Sequence, residues 1–330
     1  RLWRRRPVGF RLDRGEVLMR ARQAVARTLG LATLALTVAG GVFLPAAPAG
    51  AAPAAAKGSK APALPDLKPG TGSFLFTGWA GKPLRVHYYR PDKVTETTRI
   101  LFVIHGAGRN ADGYRDAWVP YATEGQYIVL TPEYSMADFP TSLTYNVGHI
   151  VDETGHPRPR EQWSFASIEP MFDLVRKATG TKVPQYAIYG HSAGGQFVHR
   201  FVELWPDARY SRAVAANAGW YTMPDLAIKY PYGLKDAPTD AAGLKATLER
   251  PLTILLGTAD TDPNHHQLSR TPEAMTQGVH RLARGEFFHA YGRKVAHELG
   301  AKFAWKLDYA PGIAHSNTGM SQYAQKLVWE

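Results

Sequence analysis

The chain has 330 residues, 45% of them hydrophobic and 20% charged, with 8 Trp, 16 Tyr and 13 Phe. That is ample material for a large core and excludes wholesale disorder, while the absence of Cys excludes disulfides, thiol nucleophiles and thiolate metal sites. The net charge of +11 would suggest nucleic acid, but residues 1–27 hold nine Arg against Asp13 and Glu16, and residues 52–330 keep only +4, so no nucleic-acid partner is expected.

From Leu29 to Leu44 the sequence LGLATLALTVAGGVFL carries no charge, and Ala49-Gly50-Ala51 follows among other small residues. A basic segment, an apolar segment and a small-residue site in that order describe a secretory signal, predicted here over residues 1–51. Met19 offers a start that leaves Arg20, Arg22 and Arg27 as the basic part. The apolar run is short for a span, which needs about 20 residues. A secreted or periplasmic location follows, with an uncleaved N-terminal anchor as the alternative and the only route to a membrane partner. Residues 52–70, rich in Ala and Pro, read as a linker, and residues 71–330 as one domain.

Within that domain β-prone runs recur at 73–79, 84–90, 100–106, 127–132, 185–190, 212–219, 252–257 and 303–310. Several are continuous apolar runs ending at Gly or Pro, as parallel strands buried on both faces should be. The first two alternate and suit an antiparallel hairpin at a sheet edge. Helical spacing appears at 168–180, at 193–204, at 272–300 as one long or two shorter helices, and at 319–328. Alternation of the two kinds predicts an α/β fold, a mostly parallel sheet with helices on both faces. Segments 133–165 and 219–250 fit neither pattern and are candidate walls of a substrate cleft.

The run QYAIYG leads into Gly190-His191-Ser192-Ala193-Gly194 and then into a helix. This G-x-S-x-G between strand and helix puts Ser192 on a sharp turn and presents its hydroxyl above the sheet. A serine needs a base, and the base needs a group that holds its tautomer. Asp260 sits three residues past Gly257 at the end of a buried strand, where α/β sheets place functional groups; Asp262 is the alternative. His315, in the loop after the last strand, is the expected base. The His265-His266 pair has no third ligand beside it, so no metal is expected, and nothing calls for a cofactor. Backbone donors for a tetrahedral oxyanion are expected at Ala193 and, from the loop His105-Gly106-Ala107-Gly108, at Ala107, with Gly108 next. His105, Gly106, Tyr134, Trp220 and Tyr221 are candidate substrate contacts.

With these four features in order, residues 73–330 resemble the α/β-hydrolase superfamily. HGAGRNADGYRDAW is similar to the oxyanion loop of secreted polyester depolymerases and related serine esterases. The resemblance implies an eight-stranded sheet and hydrolysis of carboxylic esters, small or polymeric, through an acyl-enzyme on Ser192. A peptidase or acyltransferase with the same triad is the alternative, as is a noncatalytic binding protein on the same scaffold. The oligomeric state is not legible in the sequence.

Overall fold

The computed structural model describes residues 64–330. The expected signal or anchor lies outside the described residues. Of the expected linker, residues 64–70 are described, and Leu67 is already buried against the core, so packing begins a few residues before the expected boundary.

Eight strands form one sheet: β1 (Gly70–Phe76), β2 (Leu84–Arg90), β3 (Ile100–Ile104), β4 (Ile128–Glu133), β5 (Tyr186–His191), β6 (Tyr210–Ala216), β7 (Leu252–Gly257) and β8 (Trp305–Ala310). Their order is β1-β2-β4-β3-β5-β6-β7-β8. β1 and β2 pair antiparallel, as does β2 with β4, and every other pairing is parallel. The strands ILFVI of β3 and LTILLG of β7 are buried at every position, because helices cover both faces.

The two-residue period of a strand divides the core in two. Ile100, Phe102, Ile104 and Ile188 point to one face, where they meet α3 (Ile168–Thr179), α4 (Ala193–Leu204), α5 (Ala241–Leu248) and α7 (Arg281–Glu298). Leu101, Val103, Val129, Val214 and Leu255 point to the other, against α1 (Ala111–Asp116), α2 (Val119–Gly125) and α8 (Asn317–Leu327). The expected helix at 272–300 is two, α6 (Pro272–Gln277) and α7, separated by Gly278 with φ +146°. Among the described residues no helix is long and apolar enough to cross a membrane.

The irregular segment 133–165 contains an isolated antiparallel bridge, Val151 to Pro157, and short 3-10 turns at Arg160–Gln162 and Ser164–Ser167. The segment 219–250 contains α5 and otherwise loops. Both lie beyond the C-terminal ends of strands, β4 and β6 respectively, which is where a parallel sheet leaves room for a site.

Candidate active site

β5 ends at His191 and α4 begins at Ala193, so Ser192 alone makes the turn, with φ +60° and ψ −118°. A non-glycine residue in that region is strained by about 1–3 kcal/mol. The two motif glycines are fixed by contact. A Cβ on Gly190 would sit 2.2 Å from the Gly194 carbonyl oxygen, and one on Gly194 would sit 2.0 Å from the Ile104 oxygen. The elbow therefore packs directly on the backbone of β3, and only Gly fits at either end.

The Ser192 hydroxyl Oγ is 3.0 Å from His315 Nε2, and His315 Nδ1 is 2.7 Å from Asp260 Oδ2. Three residues from three chain regions thus form one continuous hydrogen-bonded relay. Asp260 is nearly sealed from solvent, at 3% exposure. Asp262 is exposed and its carboxylate instead accepts from the Asn264 N–H at 2.8 Å, closing a local turn. The structure brings Asp260, and not Asp262, to the histidine.

Asp260 has a second partner that sequence reasoning missed. The buried guanidinium of Arg281, in the first turn of α7, lies 3.3 Å from Asp260 Oδ1 and 3.2 Å from His265 Nδ1. Burial pulls this guanidinium below its usual value, and the charge of Asp260 opposes that shift. Nothing marks Arg281 in sequence except its place at a helix start, where many arginines are surface residues. His191 is also buried, its ring 4.6 Å from that of His315, with Nδ1 3.0 Å from the Tyr114 hydroxyl. Burial holds His191 well below the usual imidazole value, so it stands neutral beside His315.

Ala193 is the first residue of α4, so its N–H has no acceptor within the helix. Among the described loop and turn hydrogen bonds none uses the Ala107 N–H. Both alanines line, with Ser192, a cleft of about 610 Å³ whose other walls include Arg109, Tyr145, Asn146, Gln196, Trp220 and Arg281. Two donors facing a buried serine at a helix N-terminus can hold a developing oxyanion. A larger cavity, about 810 Å³, opens between the first residues of β7 and β8 and the middle of α7, away from this relay.

The candidate substrate contacts divide. Trp220 lines the cleft, its ring tilted 38° against that of Tyr232 with centroids 4.5 Å apart. Gly106 gives its carbonyl to the Arg109 N–H and places the loop above Ser192, so close that a Cβ on Gly106 would lie 3.6 Å from Ser192 Cβ. His105 is fully buried, accepting from the Tyr134 N–H at 3.0 Å and lying 3.1 Å from the Tyr145 hydroxyl, so it braces the loop and does not line the cleft. Tyr134 is likewise sealed, its hydroxyl 2.8 Å from Ser167 Oγ. Tyr221 is stacked on Phe288 inside the core. For these three residues the expectation of substrate contact is corrected. A large ring at a strand end packs inward when the facing helix leaves an apolar gap.

Among the described residues, the cleft lining includes the cations Arg109 and Arg281 and no Asp or Glu side chain. Arg109 donates to the carbonyls of Tyr134 and Phe139 and lies 4.1 Å over the Tyr145 ring, with no carboxylate partner among the described residues. Its charge is therefore uncompensated next to the oxyanion loop.

No family model matches the chain, and no curated protein matches it. Solved structures do. Poly(aspartic acid) hydrolase-1 from Sphingomonas sp. KT-1 is 94% identical over 80% of this chain and 100% of its own, with a TM-score of 0.80. LpqC, a poly(3-hydroxybutyrate) depolymerase from Bordetella parapertussis, is 32% identical over 79% of this chain and 90% of its own, with a TM-score of 0.74. The fluorophosphonate-binding serine hydrolase FphF from Staphylococcus aureus, 16% identical over 79% and 97% with a TM-score of 0.50, shares the fold alone.

Proposed function

We propose, from the premise that this chain belongs to the α/β-hydrolase superfamily and to its esterase and depolymerase members, that it cleaves an anionic polyamide through an acyl-enzyme on Ser192. The observation that carries the chemistry is the continuous relay from Ser192 Oγ through His315 to Asp260. His315 takes the hydroxyl proton as Ser192 Oγ bonds to the carbonyl carbon. Asp260 holds the imidazole in the tautomer that accepts at Nε2 and stabilises its charged form. The N–H groups of Ala107 and Ala193 receive the oxyanion. His315 then returns the proton to the leaving nitrogen, the C–N bond breaks, and water repeats the sequence to free the acid.

The substrate class follows from two supports. The polymer named for the 94% identical relative is a chain of amide-linked aspartates. The cleft offers the uncompensated Arg109 and no acidic side chain, which suits a polyanion. The sequence pointed to esters, and the same machinery opens them. The depolymerase likeness of LpqC favours a polyester as the second reading. A polymeric substrate is compatible with reading residues 1–51 as an export signal.

The test is chromatographic. Poly(aspartic acid) incubated with the protein should shift to shorter chains, poly(3-hydroxybutyrate) should release less product, and Ser192→Ala should release none from either. Unchanged poly(aspartic acid) beside rapid polyester hydrolysis would select the second reading.

A further inference from the structure

One turn along α4 from Ser192, the side chain of Gln196 lines the cleft although it is only 8% exposed. Its Oε1 accepts from Asn146 Nδ2 at 2.9 Å and from the Arg200 guanidinium at 3.3 Å. A guanidinium has only donors to give, so the glutamine amide cannot turn over: Oε1 faces Arg200, and Nε2 is left outward. The same logic fixes Asn146, because an Oε1 atom can only accept, and so Asn146 Oδ1 is the atom left free. Among the described residues, Gln196 Nε2 and Asn146 Oδ1 have no hydrogen-bond partner, yet neither is a sealed orphan atom. Both therefore open on the cleft.

The residue that enforces this order is expensive to hold. Arg200 is fully buried, with no carboxylate hydrogen-bonded to it among the described residues. It donates to Thr222 Oγ1 and to the carbonyls of Asn146 and Gln196, and lies 4.1 Å beneath the Trp220 ring. Buried Glu203 acts on it through charge without a hydrogen bond, and a buried cation with no hydrogen-bonded carboxylate costs several kcal/mol. Here it locks three elements of the cleft wall, Gln196, Asn146 and Trp220, into one arrangement.

We propose that Gln196 and Asn146 form a specificity-determining subsite that reads an amide unit of the substrate next to the scissile bond. Asn146 Oδ1 accepts that unit's N–H, and Gln196 Nε2 donates to a carbonyl oxygen next to it in the chain, because the C=O and N–H of one trans amide point in opposite directions. An ester unit presents the carbonyl but no N–H, and would leave Asn146 Oδ1 unpaired. The subsite thus prefers polyamide to polyester. This deepens the proposed function and rests on Ser192 as the nucleophile.

The experiment compares two activated esters of one shape, the p-nitrophenyl esters of N-acetylaspartate and of O-acetylmalate. Both offer the same leaving group, and they differ in one N–H against one oxygen. The wild-type protein should favour the amide-bearing ester about tenfold in kcat/KM, the size of one hydrogen bond and its unpaired partner. Asn146→Leu should erase that preference, and Gln196→Met should raise KM for both esters while changing kcat less. Equal wild-type kcat/KM for the two esters overturns the proposal without any variant, so a misfolded Asn146→Leu does not shelter it. A preference that survives in a folded Asn146→Leu also overturns it. Hydrolysis by Ser192→Ala at the wild-type rate would instead remove the nucleophile, and the subsite with it.

Discussion

Replacing Arg281 by Met tests how far the relay depends on a residue outside it. The Arg281 and Asp260 side chains are 1% and 3% exposed, and Asp260 divides its two oxygens between Arg281 at 3.3 Å and His315 at 2.7 Å. Met fills the space of the aliphatic stem and removes the charge, leaving Oδ1 buried without a partner. Breaking a buried pair from one side costs about 3–5 kcal/mol. The contact is long and His315 still holds the other oxygen, so the lower end, about 3 kcal/mol, is expected. For a domain of this size that is a fall in Tm of about 6–12 °C. The second consequence is catalytic. With one of two anchors gone, the carboxylate can swing, and a misplacement near 1 Å slows chemistry by about 100-fold. Thermal melts of wild type, Arg281→Met, Asp260→Asn and the double variant give the coupling directly. Additive effects, or an Arg281→Met protein with wild-type Tm and kcat, would refute the assignment of Arg281 to the support of Asp260.

Four further outcomes follow from the same geometry. Ser192→Gly should be more stable than Ser192→Ala by about 1 kcal/mol, because glycine relieves the φ +60° turn at an entropic cost smaller than the strain; equal urea midpoints would contradict a strained elbow. Gly194→Ala should fail to accumulate as folded protein, since its Cβ would meet the Ile104 oxygen at 2.0 Å, and a native circular dichroism spectrum would be the refuting result. Burial pushes His105 down to about 3 from its usual 6.5, so the unfolded chain takes up the proton first. Its contribution, on the order of 4–5 kcal/mol, is complete above pH 6.5 and is lost as pH falls from 6.5 toward 3; a urea midpoint that stays flat between those limits would contradict a buried neutral imidazole. Raising salt from about 50 to about 500 mM should increase KM for poly(aspartic acid) several-fold and leave p-nitrophenyl butyrate nearly unaffected, because screening acts on the charged substrate alone. Equal salt responses would count against recognition of a polyanion.

The strands and the elbow were readable in sequence because each is a local pattern. ILFVI and LTILLG are continuous apolar runs, and G-x-S-x-G sits where one such run meets helical spacing. Helices α1 and α2 were not, since ADGYRDAWVPYATEG is short and interrupted by Gly113 and Pro120. The choice between Asp260 and Asp262 could not be made from two carboxylates two residues apart. It is decided by what each meets in space, Arg281 and His315 for one and the Asn264 N–H for the other. The pairing of Gln196 with Asn146 joins residues 50 positions apart through the buried Arg200, and no spacing rule reaches that far. Tyr134 and Tyr221 misled for a related reason. An aromatic ring at a strand end signals proximity to the site but not which way it points.

The most direct measurement is active-site labelling with a fluorophosphonate, followed by peptide mass mapping and residual hydrolysis of poly(aspartic acid). A single adduct on the peptide carrying Ser192, growing in step with loss of hydrolysis and absent from Ser192→Ala, is the predicted result. A labelled residue other than Ser192, or full hydrolysis remaining once Ser192 is modified, would contradict the account.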